Sequence, residues 1–288
     1  MWIAVKTEQN QSPNPYEQRE KEAEFIKTRM GKIKHKIAVI SGKGGVGKSL
    51  VSVNLAVGLA MNGRVDEVAI LDADLTGPCV PKMLGLKGKR LDVSPAGMFP
   101  VTADVGVKVV SMDFLLPTED SPVIWRGPLK MSAIRQFLAN VAWGPLEFLL
   151  IDLPPGTGDE GLSILQLLPE MDGVVIVTIP SEVSQSVVKK AITFARKMNV
   201  PIFGIVENMS GMVCPHCGEV VDVFSRGGGR KVADEMGVEF LGSIPLDPRV
   251  SADSDEGVPF IKKHPDSQAS QAFMRVVEKI EKKVEERC

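Results

Sequence analysis

Three groups of residues in this chain have types and spacings that could do chemistry. The first is Gly42-Lys-Gly-Gly-Val-Gly-Lys-Ser49. Its frame, Gly42-x4-Gly47-Lys48-Ser49, is that of a loop whose backbone N–H groups wrap an anion, with glycines supplying the curl. A helix-like run, Leu50 to Ala60, follows and would add its positive N-terminal end. The chemistry implied is phosphate binding: Lys48 reaching the β- and γ-phosphates of a nucleoside triphosphate, and the Ser49 hydroxyl holding Mg2+. Candidate binding residues are Gly42, Lys43, Gly44, Gly45, Val46, Gly47, Lys48, Ser49 and Leu50, against the alternative of a glycine-rich turn with no ligand.

The second group is acidic. Asp72 and Asp74 close one apolar run, and Asp152 closes another that continues as Leu-Pro-Pro-Gly-Thr-Gly-Asp159. If both runs are parallel strands, their carboxyl ends lie beside the phosphate loop, where α/β sheets collect ligands. Asp152 then reads as a holder of Mg2+, Asp72 as a second member of that shell, and Asp74 as the group orienting an attacking water. The alternative for each is an ordinary turn aspartate at a strand end. No glutamate follows Asp152, so no strong general base is offered and slow turnover is expected. The third group is Cys214-Pro-His-Cys217, a C-x2-C spacing suited to one edge of a metal site.

These groups need a scaffold, and apolar runs supply one. Strands are expected at 36–41, 68–72, 107–112, 148–153, 174–179, 202–207 and 239–244, with helices near 48–62, 129–141, 160–168, 183–198 and 227–236. That alternation predicts an α/β fold with a mostly parallel sheet covered on both faces. Residues 85–100 and 116–128 read as functional loops or insertions. Residues 1–30 read as a polar extension with a charged helix over 16–30, and 31–288 as one domain. Near the C-terminus, Phe273, Val276, Val277, Ile280 and Val284 share a helical face whose reverse mixes lysines with glutamates, which reads as a helix docked on the core.

Composition narrows the classes. The chain has 288 residues, 44% hydrophobic and 24% charged, with Lys+Arg 34 against Asp+Glu 36. That balance demands neither nucleic acid nor an anionic surface. No apolar run is long enough to span a membrane. The polar N-terminus does not read as an export signal, so four cysteines point to a reducing cytosol rather than a disulfide framework.

Lys43 is not required by the phosphate-loop frame. It reads either as a solvated loop lysine or as a cation reaching a nucleotide on a facing subunit, in the manner of an arginine finger. The same two-fold dimer would solve a count at the cysteines, because a tetrahedral metal or a cluster needs four thiolates and each chain offers two. An iron–sulfur cluster, a zinc ion and a metal-free pair all remain open there, with His216 read as a shaping residue.

With its strings Asp72-Ala-Asp-Leu-Thr-Gly-Pro-Cys-Val-Pro81, Trp125-Arg-Gly-Pro128, Asp152 to Asp159 and Glu207-Asn-Met-Ser-Gly-Met-Val-Cys-Pro-His-Cys-Gly218, the chain resembles a known class over about residues 33–265. This is the deviant Walker A class of MinD/ParA and the nitrogenase iron protein, and within it the Mrp/ApbC family of iron–sulfur cluster carrier ATPases. The resemblance implies a doubly wound sheet and a homodimer with ATP between subunits. It implies that Lys43 acts across the dimer and that Asn208 recognises adenine. It further implies that Pro245 and Asp247, within Ser243–Pro248, flank the base, and that Cys214 and Cys217 bind a 4Fe–4S cluster bound for apoproteins. Departures are Cys79, where relatives usually carry serine, and the lack of an N-terminal cysteine cluster. A positioning ATPase acting on membrane or DNA is the rival, disfavoured by the near-neutral charge and the mixed-charge C-terminal helix.

Overall fold

The computed structural model describes residues 15–95, 97–116, 127–214 and 217–287. The first half of the chain runs α1 (Pro15–Met30), β1 (Ile33–Ser41), α2 (Lys48–Met61), β2 (Val68–Asp72) and α3 (Val80–Met83). Next come β3 (Asp92–Ser94), β4 (Gly97–Phe99), β5 (Val101–Thr102), β6 (Val107–Ser111), α4 (Gly127–Asn140) and β7 (Leu146–Asp152). The second half runs α5 (Asp159–Leu167), β8 (Gly173–Thr178), α6 (Glu182–Lys197), β9 (Ile202–Glu207), β10 (Met212–Val213) and β11 (Val220–Val221). It ends with α7 (Gly228–Met236), β12 (Phe240–Ser243), α8 (Arg249–Glu256), α9 (Phe260–Lys263) and α10 (Gln268–Glu285).

Eight strands form the central sheet in the order β12-β9-β8-β1-β7-β2-β6-β5, and every neighbouring pair is parallel except β5 against β6. The chain starts in the middle, moves out through β2 and β6, returns to insert β7 beside β1, and then moves out the other way through β8, β9 and β12. Right-handed crossovers in opposite directions put their helices on opposite faces. Both faces of the inner strands are therefore covered, and β2 and β8 are buried at every residue. The reversal of direction at β1 opens a crevice at the strands' carboxyl ends. That rim is where Ser41, Asp72 and Asp152 stand, on strands paired in register: Val39 opposite Asp152, and Asp152 opposite Asp72.

The long elements lie within a few residues of their expected positions. What the sequence reading left unassigned is short. The stretch read as a loop or insertion at 85–100 contains the β3–β4 hairpin, and β10–β11 frames the cysteines. Most of the other loop expectation, 116–128, lies outside the described residues, as do residues 1–14. Two- and three-residue strands carry too little alternation to register as a pattern. The charged first helix adds Ile26 and Met30 to the core. In α10, Phe273, Val276, Val277, Ile280 and Val284 are all buried, and the helix lies across α2, β9 and β12.

Docking of α10 should be among the larger stabilising contributions at the sheet's β12 end. Phe273→Ala, at 1% exposure, is expected to cost about 3–5 kcal/mol in denaturant unfolding, whereas Lys282→Ala on the outer face should stay within about 0.5 kcal/mol of wild type.

Candidate functional site: a phosphate loop, paired aspartates and a thiol hairpin

The loop between β1 and α2 takes its shape from two glycines. Gly45 and Gly47 both sit at φ 77°, a left-handed conformation that side chains disfavour. Gly47 immediately precedes α2, so the first N–H groups of that helix face the loop's concavity. A Cβ at Gly47 would also lie 2.3 Å from Asn208 Nδ2, so no other residue fits there without displacing Asn208. Asn208 Nδ2 donates to the Val46 carbonyl at 3.0 Å, tying the loop to the end of β9.

Asp152 is completely buried and is the hub of the site. Lys48 Nζ lies 2.8 Å from its Oδ1, Ser49 Oγ donates to Oδ2 at 2.6 Å, and Ser52 Oγ donates to Oδ1 at 2.6 Å. Across the strand pair, Asp72 accepts from Ser111 Oγ at 3.1 Å and from the Asp74 N–H at 3.3 Å. Burial, reinforced by the neighbouring charge of Asp152, holds the Asp72 carboxyl well above the usual carboxylate range, with Lys48 and Ser111 opposing. Two buried carboxylates thus share one lysine. Hydroxyl and carboxylate oxygens are hard donors, and the excess negative charge is what a divalent cation corrects, so Ser49, Asp72 and Asp152 fit Mg2+. Ser52 and Ser111 escaped the sequence reading. Ser52 shares a helix face with Ser49, and Ser111 ends the strand paired with Asp72, but both facts need the register.

Asp74 is half-buried and lines the phosphate pocket, a cavity of about 260 Å3, together with Lys43, Lys48, Gly77, Cys79 and Pro155. Its Oδ1 also accepts from the Thr76 and Gly77 N–H groups at 3.3 Å, so it shapes its own turn as well. Cys79 has its thiol pushed up, first by burial and then by Asp72, Asp74 and Asp152, which keeps it a weak nucleophile. Lys43 is half-buried, and among the described residues its ammonium makes no ion pair or hydrogen bond; Ser41 Oγ donates to its backbone carbonyl at 2.9 Å.

Leu50 and Met83 form a wall common to the phosphate pocket and a second cavity of about 400 Å3. The second is mainly apolar and includes Asn208, Met209, Pro245, Asp247 and Phe273. A pocket lined by Lys43, Lys48, Ser49 and Asp74 beside a more apolar one suits phosphates followed by a base. With one amide hydrogen on Val46, the Asn208 carboxamide keeps its second N–H and its oxygen for such a ligand. Asp247 is engaged differently from a free base contact. Arg249 grips it through Nε at 3.0 Å and Nη2 at 2.7 Å, and that hydrogen bonding lowers the Asp247 carboxyl below its ordinary value.

The cysteines sit at the tip of the β10–β11 hairpin. The Cys214 N–H donates to the Glu219 carbonyl at 2.8 Å, and the Gly218 N–H donates to the Cys214 carbonyl at 2.9 Å. Cys214 is half-buried and Cys217 exposed, with Val220, Val221 and Val223 exposed alongside. His216 and Cys288 lie outside the described residues. Among the described residues no cluster of three His, Cys, Asp or Glu side chains gathers to hold a metal. No helix among them is long and apolar enough to cross a membrane.

Comparison with known proteins follows the same lines. The chain is 55% identical over 260 residues to an iron-sulfur cluster carrier protein of Saccharolobus solfataricus, covering 90% of this chain and 87% of that one. It is 50% identical over 242 residues to the cytosolic Fe-S cluster assembly factor NUBP2 homolog of Dictyostelium discoideum, covering 83% and 91%. Among solved structures, a nucleotide-binding protein of Archaeoglobus fulgidus in complex with ADP superposes with TM-score 0.73 at 44% identity, covering 82% of this chain and 92% of that one. The ParA family model, described as NUBPL iron-transfer P-loop NTPase, matches residues 32–281, and the chain belongs to that family.

Proposed function

We propose that this protein is a slow ATPase that works as a homodimer, holds a 4Fe–4S cluster between its two copies and delivers it to apoproteins after receiving it from a donor. One observation carries the reading: the acid-backed phosphate loop and a hairpin bearing two thiols, one half-buried and one exposed, occur on the same chain. The relatives named as cluster carriers and assembly factors support it. Solvent-accessible thiols that must stay reduced, Cys217 exposed and Cys214 partly so, suit the cytosol.

In this reading the loop N–H groups and the α2 N-terminus bind the phosphates, and Lys48 exchanges Asp152 for the β- and γ-phosphates. Ser49, Asp152 and Asp72 hold Mg2+, which neutralises phosphate charge when bound. Asp74 orients the attacking water, and with no glutamate following Asp152 in the sequence turnover is slow. Asn208 contacts the base, with Pro245 and Asp247 on the pocket wall. Lys43, without an ion pair or hydrogen bond to its ammonium among the described residues, reaches the nucleotide of the facing copy. Cys214 and Cys217 then supply half of a four-thiolate site, the cluster being cargo rather than a resident group.

The two lysines separate in kinetics. Lys48→Ala should abolish ATP binding; Lys43→Ala should keep binding within about tenfold and lose hydrolysis and ATP-dependent dimerisation, read by fluorescence titration, phosphate release and sedimentation. Equal loss of binding in both variants would refute a separate role for Lys43. Anaerobic reconstitution with iron and sulfide should load wild type but not the Cys214→Ala/Cys217→Ala protein. Zinc in oxygen-free purified protein, with no cluster uptake, would favour a structural metal instead.

Asp72 makes a pH prediction. Its folded value is raised, so its contribution to stability is present below the ordinary 3.8 and lost as pH rises through the folded value. Asp72→Asn should therefore remove that loss. Relative to wild type its melting temperature should rise between mildly acid and neutral pH, while its stabilisation by Mg2+ and ATP shrinks.

A further inference from the structure

Residues 208–229 carry more contacts than the thiol chemistry itself needs, and they converge on Glu207. This side chain ends β9 and is completely buried. Ser210 Oγ donates to its Oε1 at 2.8 Å, the Gly227 N–H to Oε1 at 3.3 Å, and the Gly229 N–H to Oε2 at 2.6 Å. Ser210 begins the excursion that bears Cys214 and Cys217, and Gly227 and Gly229 end it. One carboxylate therefore closes the base of the whole thiol-bearing loop.

The approach is close enough to need glycine. A Cβ at Gly229 would lie 3.1 Å from Glu207 Oε2 and 3.2 Å from Thr178 Cγ2. Gly227 precedes α7 at φ 75° and offers no capping side chain, so Glu207 takes the place of the cap for the first turn of that helix. Further ties hold the loop along its length. The Leu246 N–H donates to the Gly211 carbonyl at 2.7 Å, Ser225 Oγ donates to the Pro180 carbonyl at 2.6 Å, and Arg226 pairs with Asp222. These are peripheral ties; Glu207 accepts hydrogen bonds from both ends.

We infer that Glu207 is a positioning residue for the thiol pair: by fixing both ends of residues 210–229 it sets the separation and direction of Cys214 and Cys217. The inference rests on the proposed metal-binding role of that pair. A carboxamide cannot reproduce the arrangement. Glutamine has one acceptor oxygen where three donors arrive on two, so one N–H or hydroxyl must face an NH2 group.

The test uses the full chain purified without oxygen and titrated with Co2+ alone, following thiolate-to-cobalt charge-transfer and ligand-field absorption. Glu207→Gln is expected to weaken cobalt binding about tenfold or more and to distort the ligand-field bands. Its affinity for a fluorescent ATP analogue should stay within about twofold of wild type, because Lys48, Ser49 and Asn208 are untouched. Ser210→Ala, which deletes a single bond, should weaken cobalt binding about threefold with an unchanged melting temperature, and it decides the matter if Glu207→Gln does not fold. Wild-type cobalt affinity and bands in the folded variants, or equal losses of cobalt and nucleotide binding, would overturn the positioning role. Should the Cys214→Ser/Cys217→Ser protein bind cobalt as wild type does, the thiol site itself falls, and that result is distinguishable because it does not involve Glu207.

Discussion

The completely buried carboxylate of Asp152 is the contact on which the rest of this site depends. It takes an ammonium and two hydroxyls from the first turns of α2 and is the last residue of β7. A charge at zero exposure is tolerable only with such partners, so the end of β7, the start of α2 and the loop before it form one unit. Asp72, one strand over, accepts from one hydroxyl and one backbone N–H, and burial together with the Asp152 charge raises its carboxyl. The inner strands are apolar along their length and polar at one tip, which places the electrostatic imbalance at the rim of the sheet.

The same rim gathers segments distant in sequence. Val46, Asn208 and the 243–248 loop meet because β1, β9 and β12 all point their carboxyl ends the same way. A parallel sheet whose chain reverses direction at its centre makes this convergence a property of topology rather than of any one motif. Belonging to the NUBPL iron-transfer P-loop NTPase family is consistent with that arrangement. Between β9 and α7 the chain inserts the short β10–β11 hairpin that carries Cys214 and Cys217.

Much of this was legible in the residues. Long apolar runs gave the inner strands within a few positions, because burial on both faces leaves an unbroken hydrophobic signal. The phosphate loop was legible because its glycines answer a backbone requirement that few other sequences meet. Ser52, Ser111 and Glu207 were not, since each acts through a partner about 40 or more residues away for the serines, or through a loop that returns some 20 residues later. Asn208 shows the limit from the other side. Its family resemblance suggested a contact with a base, while its hold on the Val46 carbonyl appears only with coordinates.

Glu207 and Asn208 are neighbours at the end of one strand. Successive side chains of an extended chain leave on opposite sides, and here one meets the backbone of α7 while the other meets the loop ahead of α2. A single peptide plane therefore stands between the two grips. Each side chain turns on its own torsions and the two share no hydrogen-bond partner among the described residues, so the tie to the phosphate loop and the base of the thiol-bearing loop are served separately from adjacent residues.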